Sequence, residues 1–188
     1  MTQEDIDEYF SLAKSSMDDS IEHLEKELSR ISTGKANPNL VGGLMVDYYG
    51  SPTPMSQVAN LSVADARTIN IQPWEKSMIG PIERAIFEAN LGVTPQNDGI
   101  LVRISIPPLT EDRRKQLVKT AKDKGEDAKV SIRSVRKDLM DGIKQSVKDG
   151  YPEDAGKRAE DEAQKLVKAY EAKVDAHSEH KEGDILTI

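Results

Sequence analysis

Eight apolar residues follow one another at steps of three or four through the first thirty-one positions: Ile6, Phe10, Ala13, Met17, Ile21, Leu24, Leu28 and Ile31. That spacing lines them along one face of a helix. The same one-sided placement returns twice, as Ala121, Ala128, Ile132, Val135, Leu139 and Ile143, which lie within about 60° of Ile132 on a helix wheel, and as Ala159, Ala163, Leu166, Tyr170, Val174 and His177 at steps of three or four. Each stretch carries a single apolar stripe on an otherwise polar helix. Such helices are not stable alone, because most of their stability comes from burying the stripe. The economical arrangement is a three-helix bundle with near-heptad packing. Composition agrees, with 37% hydrophobic, 31% charged and 4% aromatic residues. These proportions suit thin cores and wide solvated surfaces better than a compact α/β enzyme.

The breaks between helices are chemically explicit. Thr33-Gly34 and Asn37-Pro38 end the first, since Gly favours helix C-terminal caps and the residue before Pro avoids the α region. Pro107-Pro108 precedes Thr110, a good N-cap, with Glu111 and Asp112 placed at the positive end of the second helix. That helix is predicted to run to about Lys148, and Asp149-Gly150-Tyr151-Pro152 separates it from the third.

Between the first two helices the texture changes. Leu44, Val46 and Tyr48 alternate with Met45, Asp47 and Tyr49, a strand pattern, before a turn at Gly50-Ser51-Pro52. Ile69 and Ile71 alternate with polar neighbours, and residues 77–90 have helical spacing with Pro81 tolerable only in the first turn. After the turn at Asn97-Asp98-Gly99, a strand puts Val102, Ile104 and Ile106 on one face. The expected fold is therefore α+β: a three-helix bundle of residues 1–31 plus 108–188, with a small β/α/β domain of residues 32–107 inserted. Two linkers at one end, carrying Gly34 and Pro107-Pro108, form a natural hinge.

The net charge of −7 is unevenly distributed. Residues 106–148 hold 12 basic and 7 acidic side chains, whereas residues 1–30 hold 3 and 9, and residues 149–188 hold 6 and 11. One basic segment thus sits among acidic surroundings, suited to local contact with a polyanion and poorly suited to non-specific binding by the whole molecule. The absence of cysteine removes disulfides, thiol catalysis and zinc–thiolate sites. No apolar run approaches the ~20 residues of a membrane span, and the acidic start MTQEDIDEYF is unlike a signal peptide. A cytoplasmic protein without a membrane partner is expected.

Catalysis finds little support. His23 lies beside the first apolar stripe, and His177 and His180 lack the spacing of a helical metal pair. No phosphate loop, nucleophile elbow or dinucleotide fingerprint occurs. No enzyme, cofactor or metal site is expected.

The basic helix is more specific. Lys115, Lys119, Lys122, Lys129, Arg133 and Arg136 recur at steps of four, three, seven, four and three, with Lys137 adjoining. At about 100° per residue most of them lie to one side of the apolar face, as a continuous outward ridge. Such a ridge can track phosphates, and Arg133 and Arg136, one turn apart, can grip adjacent ones. It can also be a solvated helix salt-bridged to its neighbours, or the face of a coiled-coil interaction protein that engages an acidic protein partner.

Several segments resemble the bacterial ribosome recycling factor family over nearly the full length. They are STGKANPNLVGGLMVDYYGSPTPMSQVA, ADARTINIQPWEKSMIGPIERAIFEANLGVTPQNDG, VRISIPPLTEDRRKQLVK, EDAKVSIRSVRKD and the closing KEGDILTI. The resemblance implies an L-shaped, two-domain monomer with a bundle and an inserted domain. It implies a non-enzymatic translation factor that, with elongation factor G and GTP, splits the ribosome after termination. It also implies that the second long helix binds large-subunit ribosomal RNA, with Arg136 central and Arg133 beside it. Two departures stand out. Arg136-Lys137 stands where the family commonly has two arginines, replacing a fork of donors by a point charge. Ser32-Thr33-Gly34-Lys35-Ala36 stands where it commonly reads RTGRA, which weakens the case for Ser32 or Lys35 as binding residues.

Overall fold

The computed structural model describes residues 2–187. Helix α1 spans Gln3–Ser29 and is followed by the single-turn α2 (Asn39–Gly42). Strands β1 (Met45–Tyr48), β2 (Ser51–Pro54), β3 (Ala59–Asp65) and β4 (Thr68–Pro73) lead to α3 (Ile79–Glu88). Strands β5 (Pro95–Asn97) and β6 (Val102–Ser105) precede the long helices α4 (Glu111–Lys148) and α5 (Glu153–Leu186). The chain divides into two compact units, one running up to Leu28 and resuming at Gln116, the other spanning Ser29–Lys115. Gly34, Pro107 and Pro108 fall inside the second unit.

In the first unit the three long helices pack as a bundle. Helix α1 runs antiparallel to α4: Glu27 pairs with Lys124 at 3.0 Å and Ser20 meets Ser131 at 3.0 Å, so numbers rise on one helix as they fall on the other. Helix α5 runs parallel to α1, with Tyr151 donating to Gln3 at 2.7 Å and Tyr170 to Asp18 at 2.5 Å. The core they enclose is aliphatic: Ile6, Met17, Leu24, Ile132, Ile143 and Ile185 are fully buried. The α5 stripe lies slightly off the spacing expected of it. Val167 and Ser178 are buried, while Leu166 is half-buried and His177 faces Glu25 at 3.2 Å. A helix touching two neighbours buries a wider arc than a one-residue-wide stripe describes.

Small residues let the helices approach. A Cβ on Gly125 of α4 would collide with the Ser178 Oγ of α5, and a Cβ on Gly156 of α5 with the Val147 side chain of α4. Gly142 lies against the face of the Tyr9 ring, 3.3 Å from where its Cβ would be. Gly125 and Gly142 cost helix propensity, roughly 1 kcal/mol each relative to Ala, and close packing offsets it.

The second unit is built on an antiparallel sheet of order β3-β4-β6-β5. Ile69 faces Ile104 and Ile71 faces Val102 across β4 and β6. These four residues are buried under α3, which adds Ile82, Ala85 and Ile86. Pro81 occupies the first turn of α3, as its missing N–H requires. Strands β1 and β2 form a separate hairpin, pairing Tyr48 with Ser51. Its turn is Tyr49-Gly50, both with positive φ (49° and 86°), so Ser51 and Pro52 belong to the returning strand rather than to the turn. Pro52 is tolerated because a two-stranded ribbon has only edges. Strand β3 carried no clear alternation; its residues are mostly exposed, and pairing with β4 rather than burial holds it in place.

Gly34 does not simply loosen its linker. Its φ of +75° requires glycine, and the Leu109 side chain lies 3.1 Å from where a Cβ would stand. Thr110 caps α4 through its Oγ1, which accepts from the Arg113 N–H at 3.2 Å.

Two stability predictions follow from the bundle. Gly125→Ala should destabilise the protein by about 1–2 kcal/mol through overpacking against Ser178. Adding Ser178→Ala removes both the obstructing hydroxyl and a buried oxygen without a hydrogen-bond partner, so the double variant should melt at or above the wild-type temperature. Chemical denaturation of the three variants checks this. Tyr170, buried and bonded to Asp18, has its phenol pushed up to about 12, by burial first and by the Asp18 carboxylate second. Its folded value exceeds the unfolded one, so the stability it lends is complete below pH ~10 and is lost as pH rises through about 12. Tyr170→Phe should remove that alkaline component, measured by denaturant midpoints across this range.

Candidate nucleic-acid interface

The cations of α4 share a helix but not an electrostatic setting. The apolar seam through Ala121, Ala128, Ile132, Leu139 and Ile143 is buried against the other two helices. Measured from Ile132 at about 100° per residue, Arg136 lies near 40°, Lys129 near 60°, Lys122 near 80°, Arg133 near 100° and Lys137 near 140°. They fan out on the flank that faces α5. On the opposite flank Lys124 and Ser131 meet α1.

Toward the start of α4 most of the basic residues are already engaged. Lys115 pairs with Glu111 at 3.0 Å, and Lys122 stands 4.0 Å from Glu182 of α5. Lys129 pairs with Asp175 of α5 at 2.6 Å and with Glu126 at 4.0 Å. The hydrogen bond that Lys129 donates to the Asp175 carboxylate holds its ammonium above the usual range, against a smaller opposing effect of burial. Lys129 is only 20% exposed and is spent on holding α4 to α5. Lys119 is exposed with no ion-pair partner among the described residues.

From Arg133 onward the setting changes. Arg133 and Lys137 are exposed, Arg136 is half-buried, and none of the three has a carboxylate partner among the described residues. The Arg136 Nε is sealed from solvent and has no hydrogen-bond partner within the protein. Its aliphatic stem therefore packs at the edge of the seam while no internal acid claims the guanidinium. Leaving a buried donor unmade costs about 1–3 kcal/mol. The sequence-based ridge thus resolves into a half whose Lys115, Lys122 and Lys129 are internally paired, with Lys119 alone unpaired among the described residues, and an open half beginning at Arg133.

The open half extends further than its steps of three and four suggested. Lys144 and Lys148 are exposed, without a partner among the described residues, and lie near 120° and 160° on the same wheel. Their signal in the sequence was the interval of seven from Lys137 to Lys144. At the far end of α4 no candidate metal cluster and no membrane-spanning helix occur among the described residues, and the same holds throughout them. An arrangement of exposed guanidinium and ammonium groups on a rigid helix suits contact with phosphates, arginine by its fork and lysine as a point charge.

Comparison with known proteins adds an independent line. Residues 24–186 match the family described as "Ribosome recycling factor". A ribosome-recycling factor of Porphyromonas gingivalis is 49% identical over 98% of this chain and 100% of its own length. One from Flavobacterium psychrophilum is 51% identical, over 98% and 99%. A solution structure of the ribosome recycling factor superposes with a TM-score of 0.82 at 33% identity, covering 97% of this chain and 98% of that one. A second match has a TM-score of 0.70 at 40% identity, over 97% and 99%. It is described as models for the T. thermophilus ribosome recycling factor and the E. coli elongation factor G bound to the E. coli post-termination complex. The correspondence spans both structural units, from the helix bundle through the inserted sheet, and by it this chain belongs to the ribosome recycling factor family.

Proposed function

We propose that this protein recycles ribosomes after termination, binding large-subunit ribosomal RNA through the open half of α4 and splitting the complex together with elongation factor G and GTP. The observation that carries the RNA contact is the run of cations without internal partners, Arg133, Arg136 and Lys137, on a helix whose preceding Lys115, Lys122 and Lys129 are paired with acids. Structured RNA presents phosphates at spacings that one helical turn can bridge, and charge-assisted bonds from a preorganised arginine lose less entropy than those of a free side chain. The protein supplies no covalent step in this reading. The bundle acts as a stiff wedge, and the inserted unit receives the push that the GTPase delivers. The relative described with elongation factor G on a post-termination complex supports this partnership.

Arg136 carries most of the expected affinity. Arg136→Ala should leave the unfolding transition nearly unchanged while weakening binding to purified ribosomes by about 1–3 kcal/mol. Lys122→Ala, whose ammonium already faces Glu182, should cost under about 1 kcal/mol. Equal losses for the two, measured by sedimentation, would reduce the ridge to diffuse charge. If the open half neutralises four to six phosphates, log affinity should fall against log salt with a slope of roughly −3 to −5. A flat dependence would remove the phosphate contacts.

The linkers transmit force in this reading. Pro107 and Pro108 fix φ between β6 and α4, and Gly34 is held against Leu109. Replacing both prolines by glycine should leave ribosome affinity within a few-fold but slow splitting followed by light scattering. Splitting at the wild-type rate would show that linker stiffness is irrelevant.

A further inference from the structure

The ion pairs between α4 and α5 form a ladder with a heptad step. Lys122 stands opposite Glu182, and seven residues along α4 Lys129 stands opposite Asp175, seven residues back along α5. The helices are antiparallel, so another step of seven sets Arg136 opposite position 168. The register at that step is fixed from both sides. Gly125 meets Ser178 before it and Val147 meets Gly156 after it, and both contacts keep the same offset to within one residue. Where the ladder calls for a third carboxylate, the chain has Lys168.

Lys168 is exposed and has no ion-pair partner among the described residues. The other groups of α5 facing this stretch of α4 are Gln164 on one side and Glu171 on the other, and the Glu171 carboxylate acts on Lys129. From α4 itself, Arg133, Lys137 and Lys144 share the flank, and Glu126 stands back beside Lys129. Arg136 thus sits where the ladder would set an internal acid, and the residue at that rung of α5 is a second cation instead. Two positive side chains placed together on rigid helices repel each other, a cost of the unbound state that an arriving anion relieves.

We propose that Lys168 of α5 is a phosphate-binding residue that forms, with Arg136 of α4, a two-helix clamp on the RNA backbone. The inference rests on the reading of α4 as the ribosomal RNA contact and adds a second helix to it. It makes the boundary between α4 and α5, rather than α4 alone, the surface that engages RNA. The fork of Arg136 and the point charge of Lys168 complement each other: one fixes direction, the other adds attraction tolerant of geometry.

The test measures the affinity of the full-length protein for purified large ribosomal subunits over a range of salt, beside thermal unfolding. Lys168→Ala should weaken binding about fivefold at low salt and flatten the log–log salt slope by about 0.7–0.9, one phosphate contact. Lys168→Glu should weaken it more, tenfold or beyond on the order of one added charge reversal, because it supplies the missing rung and ties up Arg136. Its unfolding temperature should be unchanged or raised, which separates a binding loss from a folding defect. In an Arg136→Ala background the extra penalty of Lys168→Glu over Lys168→Ala should shrink, since no guanidinium remains to be captured. If Arg136→Ala weakens binding while Lys168→Glu binds within twofold of wild type, the clamp is wrong and the α4 reading stands. If Arg136→Ala and Lys168→Glu both bind as wild type, the α4 reading falls and the clamp with it.

Discussion

The close approach of α4 and α5 is the constraint on which the bundle's surface chemistry depends. Gly125 and Gly156 leave no room for a Cβ against Ser178 and Val147, so neither helix can slide or rotate without a collision. That contact sets the axial register, and the register decides which charged side chains face each other. Lys122 and Lys129 are placed against Glu182 and Asp175; Arg136 is placed against no carboxylate. A packing detail of the core thereby selects which cations are structural and which remain available. Interdigitation of a thin aliphatic core does the same for α1, where Tyr170 reaches Asp18 and Tyr9 covers Gly142.

Much of this was legible in the residues alone, for physical reasons that can be named. Three stripes with a 3.6-residue period and unambiguous stop signals specify three long helices, and α4 begins at the Thr110 cap and ends before the Asp149-Gly150 break. Periodicity also located Arg136 at the seam boundary, because a single helix wheel suffices for that. What one helix cannot reveal is its partner. The division of the basic ridge into neutralised and open halves depends on acids of α5 more than forty residues away in sequence, and only the antiparallel register brings them together. Lys129 looked equivalent to Arg133 on the wheel and is not, since Asp175 holds its ammonium.

The inserted unit was harder to read for a different reason. Strands β4 and β6 announce themselves through Ile69, Ile71, Val102 and Ile104, which alternate because one face is buried. Strands β2, β3 and β5 bury little and are held by backbone pairing to their neighbours, so their sequences carry no period of two. The hairpin turn fell one residue earlier than Gly50-Ser51-Pro52 implied, because Tyr49 adopts the left-handed conformation beside Gly50. A tyrosine is a poor residue there on intrinsic grounds. Its hydroxyl donates to Glu75 at 2.7 Å, and the Tyr48 hydroxyl to the same carboxylate at 3.1 Å. Long-range bonds of this kind override local preference and are invisible to local pattern.

The proposed RNA contact sets an acidic protein a conflict that the layout of charge resolves. With a net charge of −7, most approaches to a phosphate-rich surface are repulsive, and non-specific association is weak at physiological salt. Attraction is confined to a flank where α4 continues to supply bases that no carboxylate pairs among the described residues. Because that flank is narrow, only an orientation laying it along the proposed RNA partner gains the charge-assisted contacts, while a slide along the bundle axis presents Lys122 and Lys129 already paired with Glu182 and Asp175 instead. Repulsion from the remaining surface therefore contributes to specificity as directly as attraction to the open half. The rigid register then matters twice over. It keeps Lys122 and Lys129 bound to their acids, where a looser interface would free them, and it keeps the cationic face from spreading into one that would bind any RNA.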